Sequence, residues 1–189
     1  MKLFIDKINW PDNYPTGPKT TVNIARDGEL LLLHFEVKAE QVRAVAMSST
    51  EPVWEDSCVE FFCQVPGEDK YMNLEINCIG TFLATRRKSR TEDVVPLSQA
   101  EMMQIDCRSS LPHKRIQQSH EPTDWEVDVK LPLQFIFKDK DLVFPLSLNC
   151  NFYKCGDKTS LPHYLSWQPI RLPNPDFHCP QFFGNITIK

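Results

Sequence analysis

The sequence predicts an all-β protein, a β-sandwich of the immunoglobulin or jelly-roll kind with one or two short helices. Apolar and polar residues alternate along many short runs, as side chains do on a half-buried strand. Glycine, proline and Asp-Gly turn signals separate these runs,. The chain lacks the regular alternation of strand and helix patterns that is typical of a parallel sheet. Many short strands with few helices therefore favour two packed sheets.

Length, charge and cysteine content are those of an ordinary globular protein. With 189 residues, the chain is expected to form a single domain over residues 1–189,. Its net charge of -4 gives no reason to expect a nucleic acid or an anionic membrane as partner,. Seven cysteines are too few for a disulfide scaffold of this length, so we expect reduced, buried thiols,.

The N-terminal sequence bears on location. A charge follows three apolar residues, too early for the apolar core of a signal peptide, and no later segment approaches the length of a membrane span,. The chain as written is therefore expected to be cytoplasmic, or secreted if a leader has been removed.

The first elements predicted are a loop and a hairpin. Three prolines and a glycine make residues 10–18 an extended loop,. Residues 20–24 and 29–37 flank the Asp27-Gly28 pair, whose residues suit left-handed turn positions, so they are expected to pair as a β-hairpin,. A further strand is expected over residues 41–47.

The stretch from Val53 to Cys63 combines a tryptophan, an acidic pair and the start of an apolar strand. Alternation places Glu60 on one face with Cys58 and Phe62. A carboxylate inside an apolar strand needs a partner, water or a ligand, because burying it alone is costly. The alternative is a glutamate on the solvated face of a half-buried sheet.

Two later strands have amide-rich polar faces. In residues 71–79, Tyr71, Asn73, Glu75 and Asn77 share one side, and residues 146–153 repeat the pattern with Ser147, Asn149, Asn151 and Tyr153,. Further strands are expected over residues 81–86, 125–131 and 182–188, a capped helix at Ser98-x-x-Glu101, and a loop over residues 161–180,.

These polar faces, brought together, would suit a sugar. Sugar hydroxyls require planar groups that donate and accept hydrogen bonds, and the C–H face of the ring requires a flat apolar surface. Asparagine, glutamate and arginine supply the first, and tryptophans near strand ends, Trp54 and Trp167, supply the second. The alternative is a sandwich whose second sheet is merely hydrated, with both tryptophans in the core.

Six segments follow one another in this order: VWEDSCVEFF, YMNLEINCIGT, DWEVDVKLP, LNCNFYKCGD, LSWQPI and PDFHCPQFFGNITI. Taken together, they resemble the carbohydrate-binding module family 9 domains, especially the family-9-like proteins of gut bacteria. The resemblance extends from about the first hairpin to the C-terminus. It implies a β-sandwich that binds the terminal sugar of a glycan between two tryptophans, without catalysis, so a mono- or oligosaccharide is the expected partner. Such modules usually act beside a glycoside hydrolase.

The resemblance also implies site residues. It assigns the stacking surfaces to Trp54 and Trp167, the carboxylate to Glu60, and further contacts to Arg86 and Asn149. Asn77 is added from its place on the polar face. Members of the family also bind structural calcium, for which Asp56 and Asp157 are the candidate ligands, although the closely spaced oxygens of a calcium loop are missing from the sequence,. No other cofactor is expected.

Three other functions are considered. A glycoside-processing enzyme would use Glu60 and Glu75 as its two carboxylates. Two further alternatives are a metal site and a haem site, but ordinary buried thiols, loop histidines and strand residues are the preferred interpretation of the residues concerned. The metal site would be built from Cys150, Cys155, His163, His178 and Cys179, and the haem site would use Met47, Met72 or His34 as axial ligand,.

Overall fold

The computed structural model describes residues 1–138 and 140–189. In these residues almost all regular structure is strand. The strands are β1 (Lys2–Phe4), β2 (Lys7–Ile8), β3 (Lys19–Asp27), β4 (Leu30–Ala39), β5 (Val42–Ala44), β6 (Cys58–Gln64), β7 (Tyr71–Asn77), β8 (Phe82–Arg87), β9 (Val95–Pro96), β10 (Asp106–Ser109), β11 (Ile116–Ser119), β12 (Thr123–Pro132), β13 (Leu146–Cys155), β14 (Tyr164–Ser166) and β15 (Gly184–Ile188). Two short helices, α1 (Gln99–Met102) and α2 (Gln134–Phe137), and two 3-10 turns, Val53–Glu55 and Pro180–Phe182, complete the elements.

The strands form two large antiparallel sheets. The first sheet has the order β1-β3-β4-β12-β10. The second has the order β2-β14-β13-β6-β7-β8-β9, and β15 pairs with the other end of β13 from β14. Strands β11 and β5 form a separate pair. The predicted β-sandwich with one or two short helices is confirmed.

The main core lies between the two sheets and follows strand alternation. Leu31 and Leu33 of β4 are buried on one side of the first sheet, and Val59 of β6 is buried on the facing side of the second. Aromatic rings join the sheets, because the ring of Phe152 lies 6.2 Å from that of Phe35 and 4.9 Å from that of Phe61.

The outer face of the second sheet, which is turned away from the first, is also largely covered. Phe62, Tyr71 and Tyr153 are buried on it. The C-terminal segment packs over them, since the ring of Phe177 stacks on Tyr153 with centroids 4.1 Å apart and planes at 9°. A second apolar cluster therefore lies outside the sandwich, and it supports the functional site.

Local signals were sound predictors of several elements. The hairpin forms from β3 and β4, with Gly28 at a φ of 57° in the turn. Helix α1 has the expected capping box between Ser98 and Glu101. All seven cysteines are free, as expected. No helix in the described part of the chain has both the length and the apolar character needed to cross a membrane.

Other elements differ from the prediction. The strand expected over residues 41–47 is only three residues long. The loop expected over residues 161–180 contains β14, which pairs with β13. Very short strands were missed because two to four residues are too few to display a period; they are β1, β2, β9, β10 and β11.

Candidate functional site

A cavity of about 370 Å³ opens on the outer face of the second sheet. Strands β6, β7 and β13 provide its floor, and the turn Val53–Glu55 and the segment 175–178 stand at its sides. We call it the outer-face cavity. Its lining residues are Trp54, Glu60, Glu75, Arg87, Arg90, Cys155, Asp157, Tyr164, Pro175, Asp176, Phe177 and His178.

Trp54 lies at the rim of the cavity because burial of a neighbouring side chain and backbone hydrogen bonds hold its turn in place. Val53 is fully buried beneath it. The backbone N–H of Asp157 donates to the carbonyl of Trp54 at 3.4 Å, and the N–H of Lys158 donates to that of Glu55 at 3.0 Å. Trp54 as a whole remains 41% exposed. A large aromatic side chain is thus held beside a cavity by its backbone and left open to a ligand.

Two carboxylates face each other on the cavity floor. Glu60 of β6 is the direct cross-strand partner of Glu75 of β7, and both are buried. The thiol of Cys155 donates to Oε1 of Glu60 at 3.0 Å, and Nδ2 of Asn73 donates to Oε1 of Glu75 at 2.8 Å. Oε2 of Glu75 is buried and has no hydrogen-bond partner among the described residues. A ligand hydroxyl could supply the missing donor.

Burial changes the protonation of this floor. It raises the pKa of Glu60 well above its usual range, and the neighbouring Cys155 and Glu75 raise it further. Burial also raises the pKa of Glu75 to about 7, opposed by the positive charge of Arg87. Near neutral pH the floor therefore contains protonated as well as ionised carboxyl groups, so it can donate and accept hydrogen bonds.

The rim adds groups of both charges. Nε of Arg87 donates to Oγ1 of Thr85 at 2.8 Å, which fixes the guanidinium beside the floor. Burial raises the pKa of Asp157 to about 6. Nδ1 of His178 lies 2.8 Å from the hydroxyl of Tyr71, and burial, with repulsion from the nearby arginines, lowers the pKa of His178 to about 3. His178 is therefore a neutral wall of the cavity.

Trp167 is not part of this cavity. Tyr164 and Ser166 of β14 pair with outer-face positions of β13, so Leu165 and Trp167 turn to the core side,. The ring of Trp167 lies 6.0 Å from that of Phe152, a core residue. Trp54 and Trp167 therefore do not face each other across this cavity, and Tyr164 is the aromatic residue of this region that lines it.

Arg86 and Asn149 also lie elsewhere. Arg86 is on the opposite face of β8 from Arg87; its guanidinium donates to the carbonyl of Phe135 and pairs with Glu101 at 2.9 Å. Asn149 lies six residues before Cys155 on β13, which is about 20 Å along a strand. Its Oδ1 accepts from Nδ2 of Asn185 at 2.9 Å. The structure does not bring either residue to the outer-face cavity.

Asn77 and Asp56 form a buried network beside the site. Nδ2 of Asn77 donates to the carbonyl of Ala46 at 2.9 Å and to Oδ2 of Asp56 at 3.0 Å. Asp56 also pairs with Arg43 and accepts from the backbone N–H groups of Val45 and Ala46. Asn77 is therefore already engaged within the protein and does not line the cavity.

The same network tests the calcium expectation. A calcium ligand needs oxygens free of positive neighbours, whereas the oxygens of Asp56 face an arginine and three N–H donors. Asp56 therefore does not fit a calcium ion. Asp157 lies at the cavity rim, and no group of three carboxylates converges anywhere in residues 1–138 and 140–189.

The metal and haem alternatives are not assembled as expected. Cys150 and Cys155 lie on opposite faces of β13, and His163 accepts from Nζ of the buried Lys154 at 2.8 Å. For haem, Met72 is a core residue of the second sheet, whereas His34 lies on the first sheet, 2.8 Å from Asp128. The five residues of the metal set do not converge on one point in the part of the chain that the structure describes.

Several lining residues are not assigned to a sugar site by the sequence analysis. The sequence does contain a signal for Arg87. Apolar Phe82 and Ala84 mark the core face of β8, and Arg86 shares that face, so alternation places Arg87 on the outer face,. Tyr164 required recognition of a three-residue strand inside a proline-rich stretch. Phe177 and His178 belong to irregular chain, for which no period exists.

Comparison with known families gives one match that covers nearly the whole chain. The family model described as Carbohydrate-binding family 9 matches residues 1–188. The comparison with curated proteins finds no relative of the chain.

Solved structures give three informative neighbours. A crystal structure from Bacteroides uniformis ATCC 8492, named provisionally as a carbohydrate-binding protein, is 38% identical with a TM-score of 0.92 and covers 100% of this chain and 86% of that one. A family 9 module from Caldicellulosiruptor kristjanssonii in complex with glucose is 15% identical with a TM-score of 0.55, covering 97% and 84% of the two chains. A family 9 module from the same organism in complex with cellotriose is 14% identical with a TM-score of 0.54, covering 97% of this chain and 82% of that one. At these low identities the last two show the fold alone.

Proposed function

The chain belongs to carbohydrate-binding family 9, and from this premise we propose that its outer-face cavity binds a sugar without catalysing a reaction. The single observation that carries the proposal is the half-exposed indole of Trp54 beside a buried pair of carboxylates, one of which has an oxygen without a donor in the described residues. An indole covers the C–H face of a sugar ring. A carboxylate that lacks a donor selects a ligand rich in hydroxyls.

The residues proposed to contact the sugar are those that line the outer-face cavity, and they differ in part from the residues that the sequence predicts. Trp54 provides the stacking surface, and Tyr164 is the second aromatic wall. Glu60 and Glu75 bind hydroxyl groups from below, and Arg87 donates to a ring or hydroxyl oxygen from the side. Of the residues first assigned to the ligand, Trp54 and Glu60 remain in the proposal.

The cavity size supports a short ligand. A volume of about 370 Å³ is at the lower end for small-molecule sites, which span about 300–1,000 Å³,. We therefore propose that it takes a monosaccharide or one terminal residue of a glycan. Glucose and cellotriose, each bound in the module from Caldicellulosiruptor kristjanssonii, are the first ligands to test. Action beside a glycoside hydrolase stays a prediction.

Titration of glucose and cellotriose, followed by tryptophan fluorescence and calorimetry, tests the proposal. We expect saturable binding, and at least a tenfold loss of affinity in Trp54→Ala, because about 1.4 kcal/mol of stacking corresponds to a factor of ten. Trp167→Leu is the matched control and should bind normally, since its side chain faces the core. Absence of binding at millimolar sugar, or equal losses in the two variants, would contradict the proposed cavity.

One observation favours a second function. Glu60 and Glu75 lie opposite each other on the floor, as a pair of glycosidase carboxylates would,. Aryl glycosides incubated with the protein distinguish hydrolysis from binding. We expect no turnover, and turnover abolished in both Glu60→Gln and Glu75→Gln would establish an enzyme instead.

A further inference from the structure

Two thiols and a carboxylate converge beside the outer-face cavity, which Glu60 and Cys155 line. The Sγ atoms of Cys58 and Cys155 and a carboxylate oxygen of Glu60 all lie within 4.8 Å of one another. The two cysteines are direct cross-strand partners on β6 and β13, and all three residues are buried. In the described part of the chain this is the only group of three or more potential metal ligands that converges.

A second observation at the same place points to an absent ligand. Glu75, the cross-strand partner of Glu60, lines the same cavity, and its Oε2 is buried without a donor among the described residues. Buried polar atoms are nearly always satisfied, and an exception calls for a specific cause such as an ion. Glu75 lies outside the converging group, so a cation bound beside Glu60 would give this oxygen a partner either directly or through a water molecule that the cation holds.

We propose that Cys58, Cys155 and Glu60 form a binding site for a zinc ion, with Oε2 of Glu75 or a water molecule as the fourth ligand. Zinc prefers four ligands in tetrahedral geometry and accepts thiolate sulfur and carboxylate oxygen together. Calcium and magnesium prefer oxygen alone, so the two sulfurs select against them. Ligand atoms on one tetrahedral zinc are about 3.5–3.8 Å apart, so a small inward shift of the three side chains closes the site.

Access and charge are compatible with the ion. Glu60 and Cys155 line the open cavity, which provides an entry path. Binding replaces the proton of each thiol, and that of Glu60 where its carboxyl group is protonated, by a bond to zinc; the protons go to the buffer and no electron is transferred. On the core side of β13, the buried Lys154 donates to the carbonyl of Cys155 at 2.7 Å, where its charge can offset the anionic ligands.

The chain contains a matched control for this site. Cys63 and Cys150 are also direct cross-strand partners on β6 and β13. They lie on the core face in the main apolar cluster, and neither is part of a converging ligand group in the described residues. Both pairs share strands, spacing and burial, and they differ in that only the Cys58–Cys155 pair has a carboxylate oxygen within 4.8 Å of both sulfurs in the described residues.

Zinc and cobalt binding to the reduced full chain tests the inference. Equilibrium dialysis with elemental analysis should find one zinc per chain, and Co²⁺ should produce a thiolate charge-transfer band. Cys63→Ala with Cys150→Ala should keep both signals. Cys58→Ser with Cys155→Ser should lose the band and at least about 100-fold in zinc affinity, and Glu60→Gln about 10-fold or more. Circular dichroism of each variant checks folding; if the serine variant is unfolded, Glu60→Gln and the wild-type cobalt band decide the question.

The inference is overturned if the wild type binds no zinc, if cobalt shows no thiolate band, or if the two cysteine pairs lose metal equally. It does not rest on sugar binding, although Glu60 and Glu75 are common to both. Glucose titrations in the presence of zinc and in the presence of a chelator distinguish the zinc proposal from the sugar proposal. A chain that binds zinc but no sugar supports the metal site and contradicts only the proposed function.

Discussion

At the scale of single residues, the number of donors around a buried carboxylate distinguishes a structural role from a ligand-binding one. Asp56 has Arg43, two backbone N–H groups and Asn77 around it, so both of its oxygens are engaged. Glu75 has one donor, Asn73, and a second oxygen without any among the described residues. Asp56 follows Trp54 by two residues and Glu75 lies on an amide-rich strand, so the sequence alone does not show which of the two carboxylates is structural and which is available to a ligand.

This difference predicts a large effect of Asp56→Asn on stability. The substitution leaves Arg43 without its buried counter-charge, so we expect the free energy of unfolding to fall by about 3–5 kcal/mol in urea denaturation. Asp128→Asn is the control, because Asp128 pairs with His34 at an exposed site and should contribute about 1 kcal/mol or less,. Similar losses in both variants would show that the Asp56 network is not the stabilising feature inferred here.

At the scale of elements, the parity of short strands decides which side chains meet a ligand. In β8 the core face contains Phe82, Ala84 and Arg86, which leaves Arg87 for the outer face. In β14 the same rule sends Tyr164 to the cavity and Leu165 to the core. A shift of one residue exchanges the faces completely, so a nearly correct assignment such as Arg86 selects the wrong side of the sheet.

The parity of β14 can be tested with two neighbouring residues. Tyr164→Ala should weaken sugar binding at least fivefold, because its ring lines the cavity, and it should also cost some stability through lost contacts with Trp10 and Tyr14. Leu165→Ala should lower the free energy of unfolding by about 2–5 kcal/mol, because it empties part of the core,, and its sugar affinity should stay near that of the wild type. Calorimetry and urea denaturation measure the two quantities, and the reverse pattern would mean that the faces of β14 are exchanged.

At the scale of the whole molecule, the second sheet is packed on both faces. Its inner face shares the main core with the first sheet, and its outer face carries the second cluster and the cavity. Phe152 lies where these layers meet: its ring contacts Phe35 of the first sheet, Phe61 of the second, and Trp167 after β14. The cavity floor is therefore supported by the sandwich core directly beneath it.

This arrangement predicts that Phe152 stabilises the fold by filling the space between the two sheets. Phe152→Ala should lower the free energy of unfolding by about 3–5 kcal/mol, and Phe152→Leu by a smaller amount, because leucine refills most of the volume. Urea denaturation measures both losses. Equal losses in the two variants would show that ring contacts, rather than volume, account for the stabilisation.

The sequence by itself determined the fold class, the β3–β4 hairpin, the cap of α1 and the placement of Glu60 inside a strand, because alternation, turn residues and capping are read within a few neighbouring positions. Only the tertiary structure decided the composition of the site. Trp54, Glu75, Arg87, Tyr164 and His178 come from five separate segments. Whether they meet depends on strand order, on the face that each short strand presents, and on how residues 168–183 fold over the outer face, and none of these is a local property of the chain.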